Sequence, residues 1–125
     1  MLESEQQKQI IKDTLDSLQL RLDLIVLKSP NIERSKNFYE KIGISFVQEK
    51  HQQGLLHYSS QNIQPTIEIY SSKHNLENHV CLFFVTVNLK EYTKMLEKNG
   101  ISYKQLKDSI YLRDPNNNRI EVKNE

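Results

Sequence analysis

Apolar and polar positions along the chain change period several times, and each change marks an element. Over residues 4 to 19, Ile10, Ile11, Leu15 and Leu18 recur at helical spacing among Gln, Lys and Asp, which predicts an amphipathic helix. From Leu20 to Leu27 the chain is apolar over a strand's length, and Ser29-Pro30-Asn31 then supplies a turn and a helix cap. The next helix turns Ile32, Ser35, Phe38, Tyr39 and Ile42 inward and stops at Gly43, a residue able to take the left-handed conformation. Short strands are predicted over 44–49, 54–59 and 65–70, separated by polar, turn-prone residues. A polar stretch over 71–78 links this unit to a second one.

The second unit repeats the order of the first. A very apolar strand over 80–87 leads to a helix over 89–98 with Leu89, Tyr92 and Leu96 inward and Gly100 as its stop. Strands come next near 102–106, 109–113 and 119–123, the last two joined by Asp114-Pro115-Asn116-Asn117-Asn118, in which Pro sets φ and Asn tolerates positive φ. Glu40-Lys41-Ile42-Gly43-Ile44-Ser45-Phe46 matches Glu97-Lys98-Asn99-Gly100-Ile101-Ser102-Tyr103 at an offset of 57 residues (100 − 43). Two copies suit a pseudo-symmetric domain, since stacked arrays need at least three units to bury a continuous core. The expected organisation is a helical extension at 1–19 and one domain at 20–125, with repeat units at about 20–70 and 79–123.

Composition narrows the function. Seventeen basic and 16 acidic residues in 125 leave a net charge of +1, with the lysines scattered, so a nucleic-acid partner is not expected. No apolar run approaches the roughly 20 residues of a membrane span. The polar, acidic start Met1-Leu2-Glu3-Ser4-Glu5 is unlike a signal peptide, and the expectation is a cytoplasmic protein. A single cysteine, Cys81, excludes an internal disulfide and a multi-thiolate metal site.

Two motifs carry a family resemblance. Asn31-Ile32-Glu33-Arg34-Ser35 leading to Phe38-Tyr39 and Gly43, with the closing Asp114-Pro115-Asn116-Asn117-Asn118-Arg119-Ile120-Glu121-Val122, resembles the signatures of the vicinal oxygen chelate superfamily over residues 20 to 123. That group takes in glyoxalase I, extradiol dioxygenases, fosfomycin-resistance transferases, methylmalonyl-CoA epimerase and bleomycin-binding resistance proteins. The resemblance implies an α+β fold in which two β-α-β-β-β units form an open eight-strand barrel-like sheet whose cup is the site. It also implies a divalent metal held by one side chain from the first and last strand of each unit, commonly His then Glu. Here those positions fall on Leu24, Glu68, Cys81 and Glu121, with Leu82 as an alternative register for Cys81. Two carboxylates are present and both imidazoles are missing. Such a pair holds Mg²⁺ or Mn²⁺ loosely, whereas sets containing His capture Zn²⁺, Ni²⁺ or Fe²⁺ more tightly.

The remaining candidates are identified by position. His79 stands two residues before Cys81, so on a strand both point to one face about 6.8 Å apart, and it or His57 is the stand-in that would complete a metal set with Glu68 and Glu121. His57, on a middle strand, is placed to line the cup as a base or donor, and Tyr58, Tyr70, Tyr111 and Arg113 are candidates for the same surface, suited to a planar or anionic molecule. Cys81 reads as a buried small hydrophobe, Asp114 as a turn former, and the alternation at the last strand as Ile120 in, Glu121 out. The leading expectation is a small-molecule binder with a degenerate metal site, like the bleomycin-binding branch. The alternatives are a divalent-metal-dependent lyase, epimerase or dioxygenase, and a structural subunit. An open sheet with uncovered edges and an extra helix bearing an apolar stripe also predict a two-fold homodimer.

Overall fold

The computed structural model describes residues 4–18, 22–50, 54–72 and 80–125. Helix α1 (Ser4–Leu18) precedes two units of the same construction. The first is β1 (Leu24–Ser29), α2 (Ile32–Lys41), β2 (Phe46–Glu49), β3 (His57–Ser60) and β4 (Thr66–Ser71). The second is β5 (Cys81–Thr86), α3 (Leu89–Lys98), β6 (Lys104–Gln105), β7 (Ser109–Arg113) and β8 (Arg119–Asn124). Each unit forms its own four-stranded mixed sheet, in the order β1-β4-β3-β2 and β5-β8-β7-β6. The fold class is therefore the expected α+β double repeat, and the eight strands divide into two sheets rather than running through one. No helix among the described residues is long and apolar enough to cross a membrane.

Local chemistry explains the repetition. Asn31 and Asn88 sit in extended backbone, and their side chains accept from the amides of Arg34 and Glu91, satisfying a donor that a helix start leaves open. Both helices end in the same Schellman arrangement: Ile44 N donates to Tyr39 O and Ile101 N to Leu96 O, around Gly43 (φ 109°) and Gly100 (φ 71°). Leu24 pairs with Thr66 where Cys81 pairs with Arg119, so the starts of β1 and β5 are equivalent.

Each helix covers one face of its own sheet. Leu27, Ile67, Ile69 and Tyr58 on one side, and Leu82, Ile110, Ile120 and Val122 on the other, are buried in the core with Tyr39, Ile42 and Leu96. The opposite faces carry no helix, which explains three departures from expectation. Cys81 is exposed rather than buried, because β5 alternates and its odd-numbered side chains fall on the uncovered face. Tyr58 points to the helix side, where its hydroxyl donates to Glu33 of α2. Strand β3 begins at His57 rather than Gly54, so Leu55 and Leu56 precede the sheet and stay exposed.

The units are clamped by reciprocal polar contacts. From unit 2, Asp114 is buried in the β7–β8 turn and accepts from the Tyr39 hydroxyl of α2 at 2.6 Å, the Asn116 and Asn118 amides at 2.8 Å each, and Asn118 Nδ2 at 2.7 Å. Asn117 in that turn takes φ 68°. Asn116 Nδ2 donates to Ser35 Oγ at 3.0 Å, while Tyr92 OH and Asn99 Nδ2 donate to the carbonyls of Ile42 (2.6 Å) and Lys41 (3.0 Å) that end α2. Asp114 is thus more than a turn former: it ties the last hairpin to the first helix. Burial and the neighbouring Asp114 charge both push the Tyr39 hydroxyl well above its ordinary pKa, so it remains a donor.

Candidate functional site

Pairing register decides which side chains share the helix-free face of unit 1. Val26 lies beside Glu68 in the parallel β1–β4 ladder; Ser59 opposes Glu68, His57 opposes Tyr70 and Glu49 opposes His57 in the antiparallel ladders. Directly opposed residues project from the same side of a sheet. Glu49, His57 and Glu68 therefore converge although 8 and 11 residues separate them in turn. Their ligand atoms lie within 4.8 Å of one another, and they are the one such group of three His, Cys, Asp or Glu among the described residues.

The geometry at His57 is constrained on both ring nitrogens. Nδ1 stands 3.1 Å from the Leu55 carbonyl oxygen, which can only accept, so Nδ1 carries a proton and donates. Nε2 then faces Glu68 Oε2 at 3.1 Å and Glu49 Oε2 at 3.3 Å. Nε2 is therefore the ring atom turned toward the two carboxylates. His57 is 1% exposed, Glu68 13% and Glu49 33%, so the group opens to solvent past Glu49 on the edge strand β2. Tyr70 stacks on the imidazole with ring centres 4.3 Å apart, and the Lys28 ammonium lies 5.2 Å from the Tyr70 ring centre. Burial, then the charges of Glu68 and Glu49, raise the Tyr70 hydroxyl above its ordinary pKa.

Unit 2 uses the same register for different side chains. Glu121 on β8 opposes Tyr111 on β7 and lies beside Phe83 on β5. Its carboxylate accepts from Ser109 Oγ at 3.1 Å and pairs with Arg119 Nε at 3.6 Å, while the Arg119 guanidinium lies 3.9 Å from the Tyr111 ring centre. A pocket of about 390 Å³ is bounded here by Phe83, Phe84, Val85, Asp108, Ser109, Glu121 and Lys123. Arg113 is exposed and donates to the Asn117 carbonyl at the hairpin end.

The sequence candidates are thus distributed over two places. Glu68, His57 and Tyr70 come together in unit 1, Glu121 lies in unit 2 with partners of its own, and His79 falls outside the described residues. The four family metal positions do not make a metal set: Leu24 has no donor atom, and Glu68, Cys81 and Glu121 do not form a group of converging ligands among the described residues. Glu49 was not anticipated. Its one signal is that β2 and β3 form a hairpin, which sets a strand-end Glu opposite a strand-start His.

No family model and no curated protein sequence matches the chain. Solved structures do. An integron cassette protein from V. cholerae is 25% identical, with 85% of this chain and 95% of that one aligned and a TM-score of 0.69. The antibiotic binding protein TnmS3 from Streptomyces sp. CB03234 is 14% identical over 85% and 96% of the two chains, with a TM-score of 0.70. Lactoylglutathione lyase from Agrobacterium tumefaciens is 15% identical over 85% and 94%, with a TM-score of 0.64. These likenesses cover both repeat units and establish a shared fold.

Proposed function

We propose that this chain, whose fold is that of the vicinal oxygen chelate superfamily, binds a small organic molecule on the helix-free face of its sheets. The observation that carries the reading is the unit 2 pocket, where apolar Phe83 and Val85 stand beside the polar set Ser109, Glu121 and Lys123. Apolar walls with a few convergent polar groups are what a small-ligand site needs: burial supplies affinity and the polar groups orient the ligand. Fold relatives include an antibiotic binding protein, which supports a binding role. A planar molecule with a polar or anionic group fits best, its ring on Phe83 and its charge toward Lys123.

The test is a thermal-shift panel on the full chain, followed by calorimetry. A planar anion that raises Tm in the parent, with the rise lost in Phe83→Ala and weakened in Lys123→Ala, supports the assignment. A ligand indifferent to both changes binds elsewhere.

The same face favours assembly as a homodimer. Phe83 (72% exposed) and Val85 (57%) on edge strand β5, with Val87 (84%) just beyond its end, make an apolar stripe that a second copy would cover. Light scattering at micromolar concentration checks this; a monomer overturns it. A second functional reading, a divalent-metal-dependent lyase, epimerase or dioxygenase, is favoured by one observation, the convergence of Glu49, His57 and Glu68.

A further inference from the structure

We infer that unit 1 alone carries a divalent-cation site, formed by Glu49, His57 Nε2 and Glu68 on the adjacent strands β2, β3 and β4. This is not the four-strand position that the family resemblance marks. Only Glu68 is common to both, and the centre moves away from β1, where Leu24 offers no ligand, to the outer half of the same sheet. The inference does not depend on the unit 2 pocket taking a ligand.

Two observations support it. The first is spacing: two ligands about 2.1 Å from one metal, at 90–109° to each other, stand roughly 3.0–3.4 Å apart. The Nε2 separations of 3.1 and 3.3 Å from the two carboxylates fall in that interval. The second is orientation. Metal-ligating histidines donate their other N–H to a backbone carbonyl or a carboxylate, which fixes the tautomer and aims the lone pair. His57 does so through Nδ1 to Leu55, and the stacked Tyr70 ring holds its plane.

One imidazole and two carboxylates form a borderline-hard set that suits Zn²⁺, Co²⁺ or Mn²⁺, with water completing the sphere on the open Glu49 side. That leaves a position at which a bound oxygen could be polarised.

The experiment uses the untagged full chain, stripped with chelator and titrated with Co²⁺ followed by visible absorbance, then with Zn²⁺ by competition. One equivalent is expected to bind, with the His57 ring resonances shifting by NMR as it does. Glu49→Gln and His57→Gln should each weaken binding at least tenfold, and Glu121→Gln should leave it unchanged. Glu49 is a third exposed, so its amide variant keeps the test valid should a change at buried His57 disturb folding. Absence of Co²⁺, Zn²⁺ and Mn²⁺ binding at millimolar concentration overturns the site. Binding that survives Glu49→Gln but disappears in Glu121→Gln also overturns it, and returns the metal to the family position.

Discussion

The two repeat units share one backbone design and differ in what they place on it. In unit 1, Glu49 on β2 opposes His57 on β3, and Glu68 on β4 lies diagonal to His57 on the same face. At the corresponding places unit 2 has Leu106, whose amide bonds the Ser109 carbonyl at 2.8 Å, then Ser109 itself, then Glu121. Each last-strand Glu is thus met by the middle-strand residue, an imidazole in one unit and a hydroxyl in the other. Ser109 is a neutral donor to Glu121, and Arg119 supplies the local cation, so that carboxylate is answered by the protein itself. In unit 1 a second carboxylate, Glu49, is added beside the imidazole of His57. Duplicated scaffolds diverge most cheaply in this way, since side chains on an uncovered face change without repacking the core.

The strongest way to break this comparison is to move the unit 1 side chains onto unit 2. Leu106→Glu combined with Ser109→His should create a second Co²⁺ equivalent per chain, because register alone then places the three donors. A double variant that folds, by circular dichroism, and still binds one equivalent would show that more than register distinguishes the units.

Next in size is the clamp between units. Asp114→Ala strips acceptors from the Tyr39 hydroxyl, the Asn116 and Asn118 amides and Asn118 Nδ2, all in or beside buried surroundings. Losses of this kind destabilise by on the order of 3 kcal/mol or more, measured by urea unfolding. Tyr39→Phe, which removes one donor and leaves Asp114 its others, should cost roughly 1–2 kcal/mol. Equal costs for the two variants would contradict the view of Asp114 as the hub.

The helix stops sharpen the contrast further. Gly100 at φ 71° lies near the left-handed basin that an alanine can enter, with nothing within 4 Å of an added Cβ, so Gly100→Ala should cost about 1 kcal/mol. Gly43 at φ 109° lies outside that basin, and Gly43→Ala should cost about 1–3 kcal/mol. Thermal denaturation of the two variants orders them, and the reverse order would show the termini to be equivalent.

A further effect, confined to the alkaline limb, comes from Tyr92. Burial pushes the Tyr92 hydroxyl up to about 12, whereas an unfolded tyrosine ionises near 10. The folded state holds this proton longer, so the stability from Tyr92 is fully present below pH 10 and is lost as pH rises from 10 toward 12. Tyr92→Phe should flatten that limb by on the order of 1–2 kcal/mol across the window and cost about 1 kcal/mol at neutral pH for the bond to the Ile42 carbonyl. An unchanged alkaline slope in urea titrations at pH 9 to 12 would place the loss on other groups.

Element order, the repeat, the Asn31 cap and both glycine stops were legible in the sequence, because they depend on local conformational preference and on periods of 3.6 and 2. The Ile120/Glu121 alternation was legible for the same reason. Alternation shows which side chains share a face of a strand, but not which face a helix will cover, and so Cys81 and Tyr58 lie on the sides opposite to expectation. Nor does it show which residues of neighbouring strands stand opposite one another. Tertiary pairing alone joined Glu49 to His57 and Glu68, and Asp114 of the last hairpin to Tyr39 of the first helix across 75 residues. Contacts of this kind are set by ladder register and by the packing of whole units, and both depend on the summed burial of many side chains rather than on any residue's own neighbours in the chain.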